Sequence, residues 1–256
     1  IKTKVIGRVF RQDEIADQIY DMWIETELAQ GARPGQFVCV YTKNAAALLP
    51  RPISICEVNE EKTMLRLVYR TVGTGTNEFA AYHAGTEISL LGPLGNGFPV
   101  EKAAGKRVFL IGGGIGIPPM LQLSKEIKKA GQAYCELSVL GYRNELFLNT
   151  DLEKYSQVYV ATEDGSAGTK GTVLDAIKEK GLSGDVIFAC GPMPMLRAIK
   201  EYAAANNMEA YISLEEHMAC GVGACLGCVC KTKNVDAHSH VHNSRICTDG
   251  PVYNAE

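Results

Sequence analysis

The chain contains no apolar run of about 18 residues, the length a membrane-crossing helix needs. It carries no basic excess either. Its 26 Lys and Arg stand against 29 Asp and Glu, for a net charge of −3, whereas nucleic-acid binders normally show a basic face. No signal peptide is visible at the start, which opens at Ile1 rather than Met. Nine cysteines are an odd number and nothing marks the chain as secreted, which argues against a disulfide framework. There are no internal repeats and no low-complexity linkers. These absences exclude a membrane span and nucleic acid, and the expected compartment is the cytoplasm. What remains is ordinary: 46% hydrophobic and 21% charged residues, enough for a real core. At 256 residues the chain exceeds the usual single-domain size, so two or three modules are expected.

The densest chemistry lies near the C-terminus, in Cys220-Gly-Val-Gly-Ala-Cys225-Leu-Gly-Cys228 with a late partner at Cys247. The spacing is C-x4-C-x2-C followed by a distant fourth cysteine, as in a plant-type [2Fe–2S] site held by four thiolates. A glycine-rich loop lets three sulfurs converge, with Gly221, Gly223 and Gly227 supplying positive-φ freedom and small volume. Disulfides and a zinc ribbon are the competing readings. Zinc usually takes two CxxC pairs or Cys/His pairs, and here the first gap is four residues. Cys230, on the outgoing strand, is expected to point elsewhere and to be the spare. Cys39, Cys56, Cys135 and Cys190 sit in apolar runs and read as reduced core residues.

Residues 1–100 read as short alternating strands: Lys4–Phe10, Gln18–Thr26, Gln36–Tyr41, Arg51–Cys56, Met64–Arg70 and Glu87–Leu91. That spacing predicts a small antiparallel barrel. One helix interrupts it at Thr74–Tyr82, with Thr76 able to cap and Glu78, two residues later, expected in the first turn. Its Gly75-Thr76 start offers backbone N–H groups to an anion such as a pyrophosphate; a plain capped surface helix is the blander alternative. From about residue 101 strands and helices alternate, which predicts a parallel sheet covered by helices. Its first strand, Lys106–Ile111, enters Gly112-Gly113-Gly114-Ile-Gly116-Ile-Pro-Pro119 and then a helix to about Ala130. Glycines at such a turn let a phosphate approach backbone N–H groups, although Ile117 replaces the third glycine of the strict dinucleotide fingerprint. Thr162–Gly168 and Cys190-Gly191-Pro192 lie at carboxyl ends of later strands, where open α/β sheets bind ligands. His238, His240 and His242 alternate and on a strand would share one face. A solvent-facing hairpin is the better reading of that run than a zinc or nickel site.

Taken in order, Arg51-Pro-Ile-Ser54, Val68-Tyr-Arg70, Gly75-Thr76, Gly112–Gly116, Cys190-Gly-Pro192 and the four cysteines resemble the ferredoxin–NADP reductase superfamily. Within it, the chain is most similar to the electron-transfer subunits of NAD-linked bacterial dihydroorotate dehydrogenases, over essentially its whole length. The resemblance implies an FAD-binding barrel (1–100), an NAD-binding α/β domain (101–214) and a [2Fe–2S] module (215–256). It implies that Arg51, Pro52, Ile53 and Ser54 line the isoalloxazine and its ribityl-phosphate side, flanked by Val68, Tyr69 and Arg70. Gly75 and Thr76 would hold the pyrophosphate. Gly112, Gly113, Gly114 and Gly116 would take the dinucleotide phosphates, and Cys190, Gly191 and Pro192 would lie near the nicotinamide. Cys220, Cys225, Cys228 and Cys247 would ligate iron. The implied partner is an FMN-containing catalytic subunit, in a heterotetramer of two of each, serving de novo pyrimidine (UMP) biosynthesis. The alternatives are a reductase subunit of another flavoprotein, hydrogenase or electron-bifurcating complex, and a regulatory module with structural zinc. The histidine run departs from the family pattern, and Arg143 after the second α/β strand leaves NADP open as the nucleotide.

Overall fold

The structure, a computed structural model, describes residues 4–233, 235–236 and 240–256; His238 lies outside the described residues. The chain divides into two compact units. The first comprises residues up to 14, 18–97 and 214–252, and the second 15–17, 98–213 and 253–256. Among the described residues no helix is long and apolar enough to cross a membrane.

The first unit is built on a closed barrel of β1 (Lys4–Ala16), β2 (Ile19–Glu25), β3 (Phe37–Tyr41), β4 (Arg51–Val58), β5 (Met64–Arg70) and β6 (Glu87–Leu94). Their order around the wall is β1-β2-β5-β4-β3-β6. Side chains alternate across each strand, so Val38 and Val40 of β3 and Ile53 and Ile55 of β4 fill the interior with Met22, Ile24, Leu65, Leu67 and Leu90. Phe37 and Cys39 therefore face outward, yet both are buried. Arg66 pins β5 in place: its guanidinium grips Asp21 of β2 at 2.8 and 2.9 Å and Glu57 of β4 at 3.1 Å. α1 (Thr74–Ala80) crosses between β5 and β6. Strand β1 runs further than the expected Lys4–Phe10 because its second half continues, through a turn with Gln18 at φ 59°, into β2.

The second unit is a parallel sheet. β7 (Arg107–Gly113), α2 (Pro118–Ala130), β8 (Cys135–Tyr142), α3 (Asn149–Leu152), β9 (Gln157–Thr162), β10 (Thr169–Lys170), α4 (Val173–Glu179), β11 (Val186–Cys190), α5 (Met193–Ala205) and β12 (Glu209–Ser213) follow in sequence. The sheet order is β10-β9-β8-β7-β11-β12, with its direction of growth reversing between β7 and β11. In open α/β sheets that switch point is where ligands bind, outside the carboxyl ends of the strands.

After β12 the chain forms the short hairpin of β13 (Val229–Lys231) and β14 (Asn243–Arg245), and then β15 (Val252–Asn254), which sits beside β12 as the seventh strand of the sheet. This last strand is absent from the sequence-based expectation: three residues are too few for a periodic signal. Of the alternate histidines, the described His240 and His242 do not lie on a strand. His240 sits in a turn at φ 56°, and His242 precedes β14, its ring nitrogen against the Lys233 carbonyl at 2.8 Å.

Candidate cofactor sites

The cysteine loop is a sulfur cradle. Backbone N–H groups of Val222, Ala224 and Cys225 donate to the Cys220 sulfur at 3.4, 3.3 and 3.4 Å. Gly227 N–H donates to Cys225 at 3.4 Å, and Cys247 N–H to Cys228 at 3.4 Å. Gly221 (φ 69°) and Gly223 (φ 81°) adopt the left-handed backbone that wraps the chain this way. Gly227 does not; the third left-handed residue is Leu226 (φ 55°). What Gly227 supplies is room, since a Cβ there would meet the Cys225 sulfur at 3.4 Å.

Cys220 interacts with the Cys225 thiol, and Cys247 with the thiols of Cys228 and Cys220. Among the described residues no three His, Cys, Asp or Glu side chains converge on a single point. Burial works against ionising Cys220 but is outweighed by the N–H groups of Val222, Cys225 and Ala224, so its thiol falls to about 6. Burial, then the Cys228 thiol, pushes Cys247 up. Donors aimed at sulfur stabilise thiolate, the form that ligates metal. Cys225 is exposed, Cys228 and Cys247 are buried, and Cys230 is half-buried on β13. Cys228 precedes β13, so strand alternation does not relate it to Cys230.

Side chains that the sequence left unremarked hold this loop. Arg245 grips Asp249 through Nε at 3.1 Å and its backbone N–H at 2.9 Å, closing the turn that carries Cys247. Asn96, just past β6, donates to the carbonyls of Asp249 and Val252 at 3.0 and 2.8 Å and accepts from Val252 N–H at 3.0 Å. Beneath the loop lies Cys39, whose sulfur would be 2.9 Å from a Cβ on Gly221. Burial, with Cys220 and Cys228 nearby, pushes the Cys39 thiol up to about 12.

On the barrel, Arg51 opens β4 and hydrogen-bonds the Leu49 carbonyl. Its guanidinium lies across the start of α1, where a Cβ on Gly75 would meet Nε at 2.6 Å. The N-cap position falls on Gly73, which has no side chain to cap with, and the expected cap Thr76 instead lies in the first turn and reaches back: its hydroxyl accepts from Val72 and Gly73 N–H at 2.9 and 3.2 Å. Glu78 falls beyond the first turn, where its carboxylate accepts from Lys43 and Asn44 N–H at 2.6 and 3.2 Å. A guanidinium over the unpaired N–H groups of a helix start forms an anion-binding corner. Pro52 and Ser54 are half-buried on the outer face. Ile53 and Tyr69 point inward: the Tyr69 ring packs on Tyr20 and Phe79 at 5.9 and 6.1 Å, and its hydroxyl donates to Gln12 at 2.7 Å. The Tyr69 ring is thus committed to the interior.

At the switch point the glycines divide their labour. A Cβ on Gly112 would collide with Ile117 (2.8 Å), on Gly113 with Met195 (2.5 Å) and on Gly116 with the Cys190 carbonyl (2.4 Å). These three let β7, α2 and the β11–α5 loop pack closely. Gly114 alone combines positive φ (52°) with open space, as a backbone that receives a phosphate needs. Cys190 is fully buried at the end of β11, and Pro192 beyond it is exposed. The Thr162–Gly168 loop closes on itself, Thr162 donating to the Ala167 carbonyl at 2.7 Å.

Comparisons with known proteins agree with this arrangement. Residues 215–256 match the iron-sulfur cluster binding domain of dihydroorotate dehydrogenase B, and residues 110–201 match an oxidoreductase NAD-binding domain. The electron transfer subunit of dihydroorotate dehydrogenase B (NAD(+)) from Geobacillus sp. (strain WCH70) is 42% identical over 252 residues, covering 96% of this chain and 95% of that one. The same subunit from Bacillus velezensis is 44% identical over 248 residues, covering 95% and 94%. A solved NADH-dependent reduced ferredoxin-NADP oxidoreductase, studied for flavin-based electron bifurcation, superposes with a TM-score of 0.87 at 28% identity, over 98% of this chain and 88% of that one.

Proposed function

The chain belongs to the family of electron transfer subunits of dihydroorotate dehydrogenase B (NAD(+)), and from that premise we propose that it carries electrons between a dihydroorotate-oxidising catalytic subunit and NAD+ in pyrimidine biosynthesis. FAD and a [2Fe–2S] cluster supply the redox chemistry when bound, the flavin joining two-electron exchange with nicotinamide to one-electron traffic with the cluster. The protein's share is to bind, orient and tune. Cys220, Cys225, Cys228 and Cys247 ligate the irons, and the N–H groups around Cys220 set the cluster's potential. Arg51 and the backbone N–H groups of Gly75 and Thr76 hold the FAD pyrophosphate, while Pro52, Ser54, Val68 and Arg70 line the flavin face, with Ile53 and Tyr69 as the wall behind. Gly114 receives the NAD phosphates, on a loop whose shape Gly112, Gly113 and Gly116 permit; Cys190, Gly191 and Pro192 bound the nicotinamide end. In this reading the chain is organised as an FAD barrel (1–100), an NAD domain (101–214) and a cluster module (215–256).

The catalytic partner carries FMN, and two copies of each chain assemble. Support comes from the cluster loop, where Val222, Leu226 and Val229 expose 45%, 48% and 38% of their surface beside the exposed Cys225; apolar groups gathered there suit a docking surface. The compartment that suits an iron–sulfur protein without a disulfide framework is a reducing one, the cytoplasm. The observation that carries the reading is the convergence of N–H donors on the Cys220 sulfur. Its test is an anaerobic visible spectrum before and after one equivalent of NADH. Flavin and iron–sulfur absorbance that both bleach are the expected result. A colourless protein containing zinc would sink the proposal.

A further inference from the structure

The outer face of β3 is buried although it faces away from the barrel interior. Cys39 occupies that face, completely shielded from solvent, with two neighbours that matter. Above it, its sulfur occupies the space a side chain on Gly221 would need: an added Cβ would lie 2.9 Å away, with Leu94 Cδ1 at 3.1 Å closing the same spot. Beside it, Cys39 stands opposite Pro52 in the antiparallel β3–β4 register, and opposed residues share one face of the sheet with Cβ atoms about 5 Å apart. One thiol thus lies directly under the residue following the first cluster cysteine, leaving it no room for a side chain, and adjoins the strand that carries the proposed flavin-binding residues.

We propose that Cys39 is a positioning residue of the electron relay, its side-chain volume setting the height of the cluster loop above β3 and hence the separation between the cluster and the flavin-binding strand β4. The proposal rests on the functional reading above. Size is the variable that matters. Serine is nearly isosteric with cysteine, alanine removes the contact, and valine adds a branch where Gly221 leaves none. Left-handed Gly221 has no way to yield by rotating a side chain, so a larger residue at 39 must lift the loop itself.

The test uses full-length Cys39→Val, Cys39→Ala and Cys39→Ser proteins, purified anaerobically with their cofactors. The readouts are iron and FAD content, the EPR spectrum after NADH reduction, and the rate at which the cluster signal develops in rapid-freeze samples. Cys39→Val is expected to retain FAD, to give a shifted or broadened EPR signal, and to slow cluster reduction severalfold. Cys39→Ser is expected to match the wild type. Should Cys39→Val fail to fold, Cys39→Ala decides: it shifts the EPR signal while Cys39→Ser does not. Wild-type spectra and rates in every folded variant overturn the proposal, and so does a Cys39→Ser protein as altered as Cys39→Val or Cys39→Ala. A wild-type chain without any cluster signal would instead refute the functional reading, a separate outcome.

Discussion

Replacing Gly95 by alanine tests whether the cluster module is held by the junction after β6. Gly95 adopts φ 74°, and a Cβ there would lie 2.5 Å from Pro251 Cδ, 2.7 Å from the Gly250 carbonyl and 3.2 Å from Phe37. The left-handed backbone costs alanine about 1–2 kcal/mol, and the forced contacts add about 1–3 kcal/mol of overpacking. Together that is about 2–5 kcal/mol, a large share of the roughly 5–15 kcal/mol by which proteins are stable. Gly85→Ala isolates the first contribution, because Gly85 has φ 87° and nothing within 4 Å. Gly31→Ala has neither strain nor neighbour and should move stability by less than about 0.5 kcal/mol. The assay is thermal unfolding of the holoprotein under argon, with iron and flavin release followed separately. Each kcal/mol should lower the midpoint by about 2–4 °C. Iron should leave first, since the displaced Gly250–Pro251 turn closes on Arg245 and Asp249 around Cys247. A Gly95→Ala protein no less stable than Gly85→Ala, or one that releases flavin together with iron, refutes the reasoning.

Cys225→Ser should lose iron while keeping FAD; loss of both would show that the sites are not separable. Arg51→Ala should weaken FAD retention about ten- to a hundredfold, the worth of a charge-assisted hydrogen bond, and unchanged flavin occupancy would contradict that role. Burial raises Glu136 to about 7, against the opposing Ser124 hydroxyl and Lys128. The folded chain therefore holds a proton that the unfolded chain releases near pH 4.3. Stability from this group is complete below that pH and lost as pH rises through about 7, amounting to about 2 kcal/mol after allowance for partial exposure. Glu136→Gln should flatten the difference in urea midpoint between pH 5 and pH 8; an unaltered slope would exclude Glu136 as its source.

What the sequence disclosed is what short stretches encode. The cysteine spacing, the strand runs and the Pro118-Pro119 helix start each reflect local geometry, and the order of barrel, α/β sheet and cluster loop follows from them. What it concealed depends on partners far along the chain. The glycines of Gly112–Gly116 look alike in sequence, but only the positions of Ile117, Met195 and Cys190 distinguish three packing glycines from the open Gly114. Tyr69 looks like a flavin platform until its register in β5 turns it toward Phe79. Asn96 had no local signal at all, because its partners lie more than 150 residues away.

Strand β15 bears on how the protein is made. Residues 252–254 supply the neighbour of β12, although β12 ends at Ser213. During synthesis β12 leaves the ribosome well before that neighbour exists, and its unpaired backbone groups offer an adhesive edge to any passing strand. Ribosomal pausing between residues 214 and 252 should therefore prolong aggregation risk in the sheet, even though the codons involved encode the cluster module.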